Sequence, residues 1–301
     1  MTWELMDRVG RRAMRAWGAR SRRLGGVHAY DFLGKGTLPP VVLLHGAGAS
    51  GLSWAPVIRH LLPVAGRLLV PDLPGHGFSD PPARLTIPGV SLALDAAWNG
   101  EVQAPAFLVG HSLGALMAAR FALRRPERVR GLVLLTPGGG TVAEGALDQV
   151  KAALDIRTRA AARAFVDRML TKPAWYAPWV APYVREAASR PSVRAIVQSA
   201  CVSDMLTAAE LGQLPPATLV LWGRQDRLVP LSDLAHLREG LPAQAEIVEV
   251  DGFGHGALVE RPAEVARRLI GFIGRVAAST PDAVASTSRG ERKTKCPCDS
   301  S

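Results

Sequence analysis

The chain has 301 residues, a formal net charge of +10, 48% hydrophobic residues and 21% charged ones. This is the composition of a soluble globular protein long enough for one large core. Half of the charge excess, a net +5, lies in the first 23 residues, so it does not describe a nucleic-acid-binding face on the body.

Residues 1–24 read as a basic amphipathic helix. At roughly 100° per residue, Trp3, Met6, Gly10, Ala13, Met14 and Trp17 share one face, with Arg8, Arg11, Arg12 and Arg15 opposite. Two readings stay open: peripheral contact with an anionic membrane surface, or a helix packed on the body with a solvated basic face. Glu4 and Asp7 argue against a transit peptide, and no apolar stretch of signal-peptide length follows the basic start.

Val27 to Leu33 reads as a strand and Val41 to Leu44 as a strand buried on both faces, ending in His45-Gly46-Ala47-Gly48. A helix over Trp54 to Leu62 precedes the strand Arg67 to Pro71, which runs into Asp72-Leu73-Pro74-Gly75-His76-Gly77. Ser91 to Trp98 reads as helical. The uncharged run Val102 to Ala119 is long enough to raise a membrane span. Gln103, Pro105, His111, Ser112 and two glycines interrupt it, and a buried strand, turn and helix explain it better. Val129 to Leu135 is another buried strand.

Strand–helix alternation stops from about Thr141 to Gln213, where Pro173, Pro178, Pro182 and Pro191 break helical stretches. Residues 141–213 therefore read as an inserted helical lid. Its Trp175, Tyr176, Trp179 and Tyr183 either line a substrate pocket, Trp175 and Trp179 first, or pack the lid on the body. Alternation resumes with the strand Ala217 to Trp222, a helix Ser232 to Glu239, the strand Ala245 to Val250 and a final helix Pro262 to Val276. The core thus spans 25–140 and 214–278, and residues 279–301 read as a disordered tail. Cys201, Cys296 and Cys298 are too few for a disulfide framework. A reducing, cytoplasmic location is expected, with peripheral membrane contact through residues 1–24 as the addition to test.

Alternating strands and helices imply a mainly parallel, doubly wound α/β sheet, with chemistry collected in loops at the carboxyl ends of strands. Gly110-His111-Ser112-Leu113-Gly114 has the form G-x-S-x-G between a strand and a helix. The turn is sharp, so Gly110 and Gly114 avoid collisions while Ser112 is strained and exposed at a helix start. A serine needs a base, and the base an acid to fix its tautomer. His255 follows the last strand and Asp226 the one before it, giving the chain order Ser112, Asp226, His255. The backbone N–H groups of Leu113 and Ala47 are the expected oxyanion donors. His45, His76 and His111 read as structural groups around the site, as do Gly46, Gly110 and Gly114. Seven histidines without metal-ligand spacing predict no metal site.

These five motifs, His45 to Gly48, Asp72 to Gly77, Gly110 to Gly114, Gly223-Arg224-Gln225-Asp226 and Gly254-His255, resemble those of the α/β-hydrolase superfamily in their order. The resemblance covers about residues 26–275. It implies an α/β-hydrolase fold and hydrolysis through an acyl-enzyme without a cofactor. Ser112 stands where epoxide hydrolases and haloalkane dehalogenases carry Asp, which sets those two aside. The family's range leaves three functions open. The first is cleavage of a carboxylic ester of an apolar small molecule or lipid. The second is carbon–carbon or peroxy-acid chemistry with the same triad. The third is a triad-retaining small-molecule receptor or accessory protein.

Overall fold

The computed structural model describes residues 3–98, 105–140 and 144–279. The chain opens with α1 (Trp3–Ala16), β1 (Arg20–Leu24), β2 (Val27–Leu33) and β3 (Val41–Leu44). Then come α2 (Ala55–Leu61), β4 (Arg67–Pro71), α3 (Ile87–Trp98), β5 (Ala106–His111), α4 (Leu113–Arg124) and β6 (Val129–Leu135). Among the described residues five helices follow with no strand between them: α5 (Glu144–Leu154), α6 (Arg159–Met169), α7 (Ala177–Ala188), α8 (Pro191–Ser199) and α9 (Ala208–Gly212). The fold closes with β7 (Thr218–Gly223), α10 (Leu231–Gly240), β8 (Glu246–Val250), α11 (Ala257–Glu260) and α12 (Pro262–Ser279).

The strands form one sheet in the order β1-β2-β4-β3-β5-β6-β7-β8. β1 and β2 run antiparallel to their neighbours, and every later pairing is parallel. Because side chains alternate along a strand, the apolar runs divide cleanly between the two faces. Val42, Leu44, Leu108, Leu132, Leu134 and Val220 pack on one side with residues of α3, α4 and α10. Val41, Leu43, Phe107, Val109, Val133 and Leu219 pack on the other with residues of α1, α2 and α12. This is why β3, β5 and β6 read as continuous hydrophobic runs instead of alternating ones.

The first 24 residues differ from the single helix expected of them. α1 ends at Ala16, and residues 20–24 form the outer strand β1, paired with β2 from Arg20↔Asp31 to Leu24↔Val27. Its arginines carry no apolar period, so the strand was invisible to pattern; cross-strand partners hold it instead, Arg22 Nη1 lying 3.2 Å from Asp31. α1 itself packs on the body against α7 and the turn at Gly51–Trp54. Met14 is fully buried. Asp7 is also buried and ion-paired with Arg11 at 3.0 Å, so Arg11 turns inward and does not join the basic face. Arg8, Arg12 and Arg15 stay exposed, with Leu5 (47%) and Val9 (56%) among them.

Two helices are longer than expected: α3 begins at Ile87 and α12 runs to Ser279. Residues 280–301, most of the predicted tail and both Cys296 and Cys298, lie outside the described residues. No described helix is long and apolar enough to cross a membrane.

Burial of Met14 makes the docking of α1 measurable. Met14→Ala is expected to lower the unfolding free energy by about 2–5 kcal/mol in urea denaturation. An unchanged midpoint would show that α1 does not contribute to the core.

Candidate active site

Close backbone packing builds the elbow. A Cβ on Gly110 would stand 2.3 Å from the Gly114 carbonyl oxygen, and one on Gly114 would stand 2.4 Å from that of Leu44. Both obstacles are main chain and cannot swing aside. The crowding drives Ser112 to φ 53°, ψ −120°, a left-handed conformation that non-glycine residues rarely adopt. Hydrogen bonds on both sides hold it there. The Ser112 N–H donates to Leu135 O at 3.2 Å, and its carbonyl accepts from Ala115 at 2.9 Å and Gly138 at 3.1 Å. Serine at a helix N-cap normally turns its hydroxyl back onto the first turn. Here the side chain makes no capping bond and lines a cavity instead.

The ends of β7 and β8 supply an imidazole–carboxylate pair. His255 Nδ1 lies 2.8 Å from Asp226 Oδ2, and both side chains are almost completely buried. Asp226 Oδ1 accepts the backbone N–H groups of Leu228 (2.8 Å) and Val229 (3.0 Å). Burial pushes the Asp226 carboxyl upward, but His255 and these donors outweigh it, leaving its pKa below the usual value. An ionised Asp226 fixes the proton on Nδ1 and leaves Nε2 as the acceptor. Among the described residues no hydrogen bond joins Ser112 Oγ to the His255 ring; such contacts tighten with substrate. The two loops nevertheless meet: His111 Nε2–H donates to the His255 carbonyl at 2.8 Å, and the two rings lie 4.9 Å apart.

The residues expected to supply the oxyanion donors line the same cavity as Ser112. Leu113 opens α4, so its N–H has no helical partner. The Ala47 N–H is not taken up by the turn around it, where Ala49 bonds to Gly46. Ala47, Ser112 and Leu113 all line one cavity. His45 sits beneath this loop, fully buried, donating from Nδ1 to Gly46 O and accepting the Leu73 N–H at Nε2, both at 2.8 Å. His45 and His111 thus each join two loops, His45 through Leu73 and His111 through the His255 carbonyl. Burial above all holds the His76 and His111 pKa values down to about 3.

The roof of the cavity comes from the inserted helices. Leu147, Val150 and Leu154 of α5, Val197 of α8 and Met205 face Leu116 of α4 across it. Lys151 is its one charged lining residue, with Nζ 3.1 Å from the Ala200 carbonyl. Pattern reading missed these residues because apolar helix positions look like ordinary core. Trp175 and Trp179, expected in the pocket, lie outside it, 80% and 55% exposed and edge to face at 5.7 Å. The reason is local. α7 packs through its small side chains, Ala177, Ala181 and Ala188, which turns the tryptophans away.

The insertion is fastened beside the histidine. Gly256 N–H donates to Met169 O at 2.7 Å, and the Arg227 guanidinium donates to the carbonyls of Asp167 and Leu170. The Glu260 carboxylate accepts both the N–H and the hydroxyl of Thr171.

Residues 41–268 match the profile of the alpha/beta hydrolase family. A 2-hydroxy-6-oxononadienedioate/2-hydroxy-6-oxononatrienedioate hydrolase of Cupriavidus pinatubonensis is 27% identical, over 78% of this chain and 86% of its own. A pimeloyl-[acyl-carrier protein] methyl ester esterase of Xanthomonas campestris is 29% identical, over 81% and 97% respectively. The crystal structure of a 2-hydroxy-6-oxo-6-phenylhexa-2,4-dienoate hydrolase from Rhodococcus sp. superposes with a TM-score of 0.74 at 26% identity, covering 85% of this chain and 98% of that one.

The low His111 pKa has a consequence for stability. The folded value lies below the ordinary 6.5, so between the two the unfolded chain binds a proton that the native one does not. Stability is therefore lost as pH falls from about 6.5 towards about 3, by about 1.4 kcal/mol per pH unit for this group. Denaturation of His111→Gln across this range should show a slope shallower by about one proton. An identical slope would show that His111 does not stay neutral in the folded protein.

Proposed function

The chain belongs to the alpha/beta hydrolase family and is a hydrolase; from that premise we propose that it cleaves carboxylic esters with an apolar acyl or alcohol group through an acyl-enzyme on Ser112. The observation that carries this is the cavity: it is lined almost wholly by aliphatic side chains, and Ser112, Ala47 and Leu113 are among its lining residues. In the proposed cycle Ser112 Oγ attacks the ester carbon while its proton passes to His255 Nε2. The oxyanion is held by the two backbone N–H groups, and His255 then protonates the departing alcohol. Water, activated by the same imidazole, releases the acid. Asp226 keeps the ring in the required tautomer and stabilises its charged form. The helical insertion, residues 141–213 in the domain division read from sequence, covers the acyl group and excludes water. No cofactor takes part in these steps.

Carbon–carbon hydrolysis by the same three residues is the second reading, favoured by the oxo-dienoate hydrolases among the relatives. A panel of short and medium-chain esters against vinylogous diketones separates the two by product. Ser112→Ala is expected to lower kcat by about 10⁴-fold or more, and Asp226→Asn by about 10⁴-fold, with the fold intact. Undiminished ester turnover by Ser112→Ala would remove the mechanism. A single-turnover release followed by silence would favour the receptor reading.

The outer face of α1 supports a second contact. Leu5 and Val9 are exposed among Arg8, Arg12 and Arg15, the arrangement that suits an anionic lipid surface. We therefore place the protein in the cytoplasm, peripheral to a membrane; the free, exposed Cys201 fits a reducing compartment. Sedimentation with phosphatidylserine vesicles should fall on raising salt and on Leu5→Ser/Val9→Ser. Equal pelleting of the variant, or pelleting insensitive to salt, would end this reading.

A further inference from the structure

A second serine, histidine and aspartate stand in a hydrogen-bonded row at the edge of the sheet. Ser21 Oγ on β1 lies 2.9 Å from His28 Nε2 on β2, and His28 Nδ1 lies 2.9 Å from Asp72 Oδ2 beyond β4. Antiparallel pairing makes the row: Ser21 opposes Tyr30 and Arg23 opposes His28, so Ser21 and His28 share a face as diagonal neighbours. The carboxylate is built like that of Asp226. Asp72 is fully buried and accepts the backbone N–H groups of Gly51 at 2.7 Å and Phe78 at 2.9 Å. Burial opposes its ionisation, yet the hydrogen bond from His28 and these neighbours hold its pKa below the usual value. The proton of His28 is thereby fixed on Nδ1, and Nε2 faces the Ser21 hydroxyl as an acceptor.

The surroundings differ from those of Ser112. Ser21 is exposed while His28 is buried, edge-on to the rings of Tyr30 and Phe78. The hydroxyl opens into a pocket lined by Arg11, Arg15, Arg23 and Phe78. Arg11 is engaged by Asp7 and Arg23 by Asp80. Arg15 makes no ion pair among the described residues, leaving an uncompensated guanidinium at the rim.

We propose that Ser21 is a second nucleophile, with His28 as its base and Asp72 as the positioning carboxylate, and that it accepts acyl groups from donors that carry a negative charge. In the step, Ser21 Oγ forms a bond to the carbonyl carbon as the bond from that carbon to the leaving oxygen breaks. The hydroxyl proton passes to His28 Nε2 and from there to solvent or the leaving group. Nothing is oxidised or reduced, and the product is an ester on Ser21. The arginines select the donor, since a cleft lined with one sign of charge concentrates the opposite sign.

The test uses the full chain carrying Ser112→Ala, which separates this site from the one proposed above. It is given the mono-para-nitrophenyl ester of glutaric acid, or neutral para-nitrophenyl butyrate. The expected result is one nitrophenolate released per chain from the anionic ester, with the glutaryl group mapped to Ser21 by peptide mass. The neutral ester should react about tenfold more slowly or worse. Adding Ser21→Ala should abolish the adduct, and Ser21→Cys should restore it as a thioester. The release should slow in deuterium oxide, because a proton moves to His28 in the step, whereas a merely structural histidine would give no such effect. No adduct, an adduct on another residue that survives Ser21→Ala, no preference for the anionic ester, or release indifferent to deuterium would each overturn the proposal.

Discussion

The contact of main chain with main chain at Gly110 and Gly114 is the constraint on which the rest of the site depends. β5, α4 and the end of β3 approach so closely there that no side chain fits between them. Three features follow from that approach. The turn between β5 and α4 becomes sharp enough to put Ser112 at positive φ. The loop at His45 and Gly46 comes down on the elbow, against Ser112 and Gly114. The first N–H of α4, that of Leu113, is left without a helical partner. Sheet pairing keeps the strain in place, since both the N–H and the carbonyl of Ser112 are bonded to residues at or beyond the end of β6. The energy stored in one residue is small beside the burial that holds the three elements together.

The imidazole–carboxylate pair is held by a different means. Asp226 and His255 share one hydrogen bond, but their positions also depend on the insertion. Arg227 and Gly256 bond to the end of α6, and Glu260 to Thr171 just beyond it. The same helical segment that roofs the cavity thus braces the loops beneath. An apolar roof of this kind raises the strength of every hydrogen bond under it, because water is kept out.

How much of this was legible in the sequence depends on whether the cause was local. The elbow was legible, since G-x-S-x-G states its own steric requirement within five residues. The strands β3, β5 and β6 were too, because a segment buried on both faces must be apolar throughout. β1 was not: an edge strand of arginines is held by partners on β2, and nothing in its own residues announces extension. Periodicity found the inward face of α1 only in part. It could not foresee that Asp7 would be buried and carry Arg11 inward with it. Trp175 and Trp179 misled because aromatic residues are read as buried, while the packing of α7 runs through alanines. The row from Ser21 to Asp72 joins three elements, and only the pairing register brings them together.

The arginines of β1 have one more effect, on the protein's colloidal behaviour. An eight-stranded sheet ends in open backbone donors and acceptors, and β1 is one of its two borders. Two molecules meeting there would have to bring Arg20, Arg22 and Arg23 of each against the other's, so like charge opposes edge-to-edge stacking. Replacing that border with a neutral, flat strand would remove this obstacle to edge-to-edge pairing.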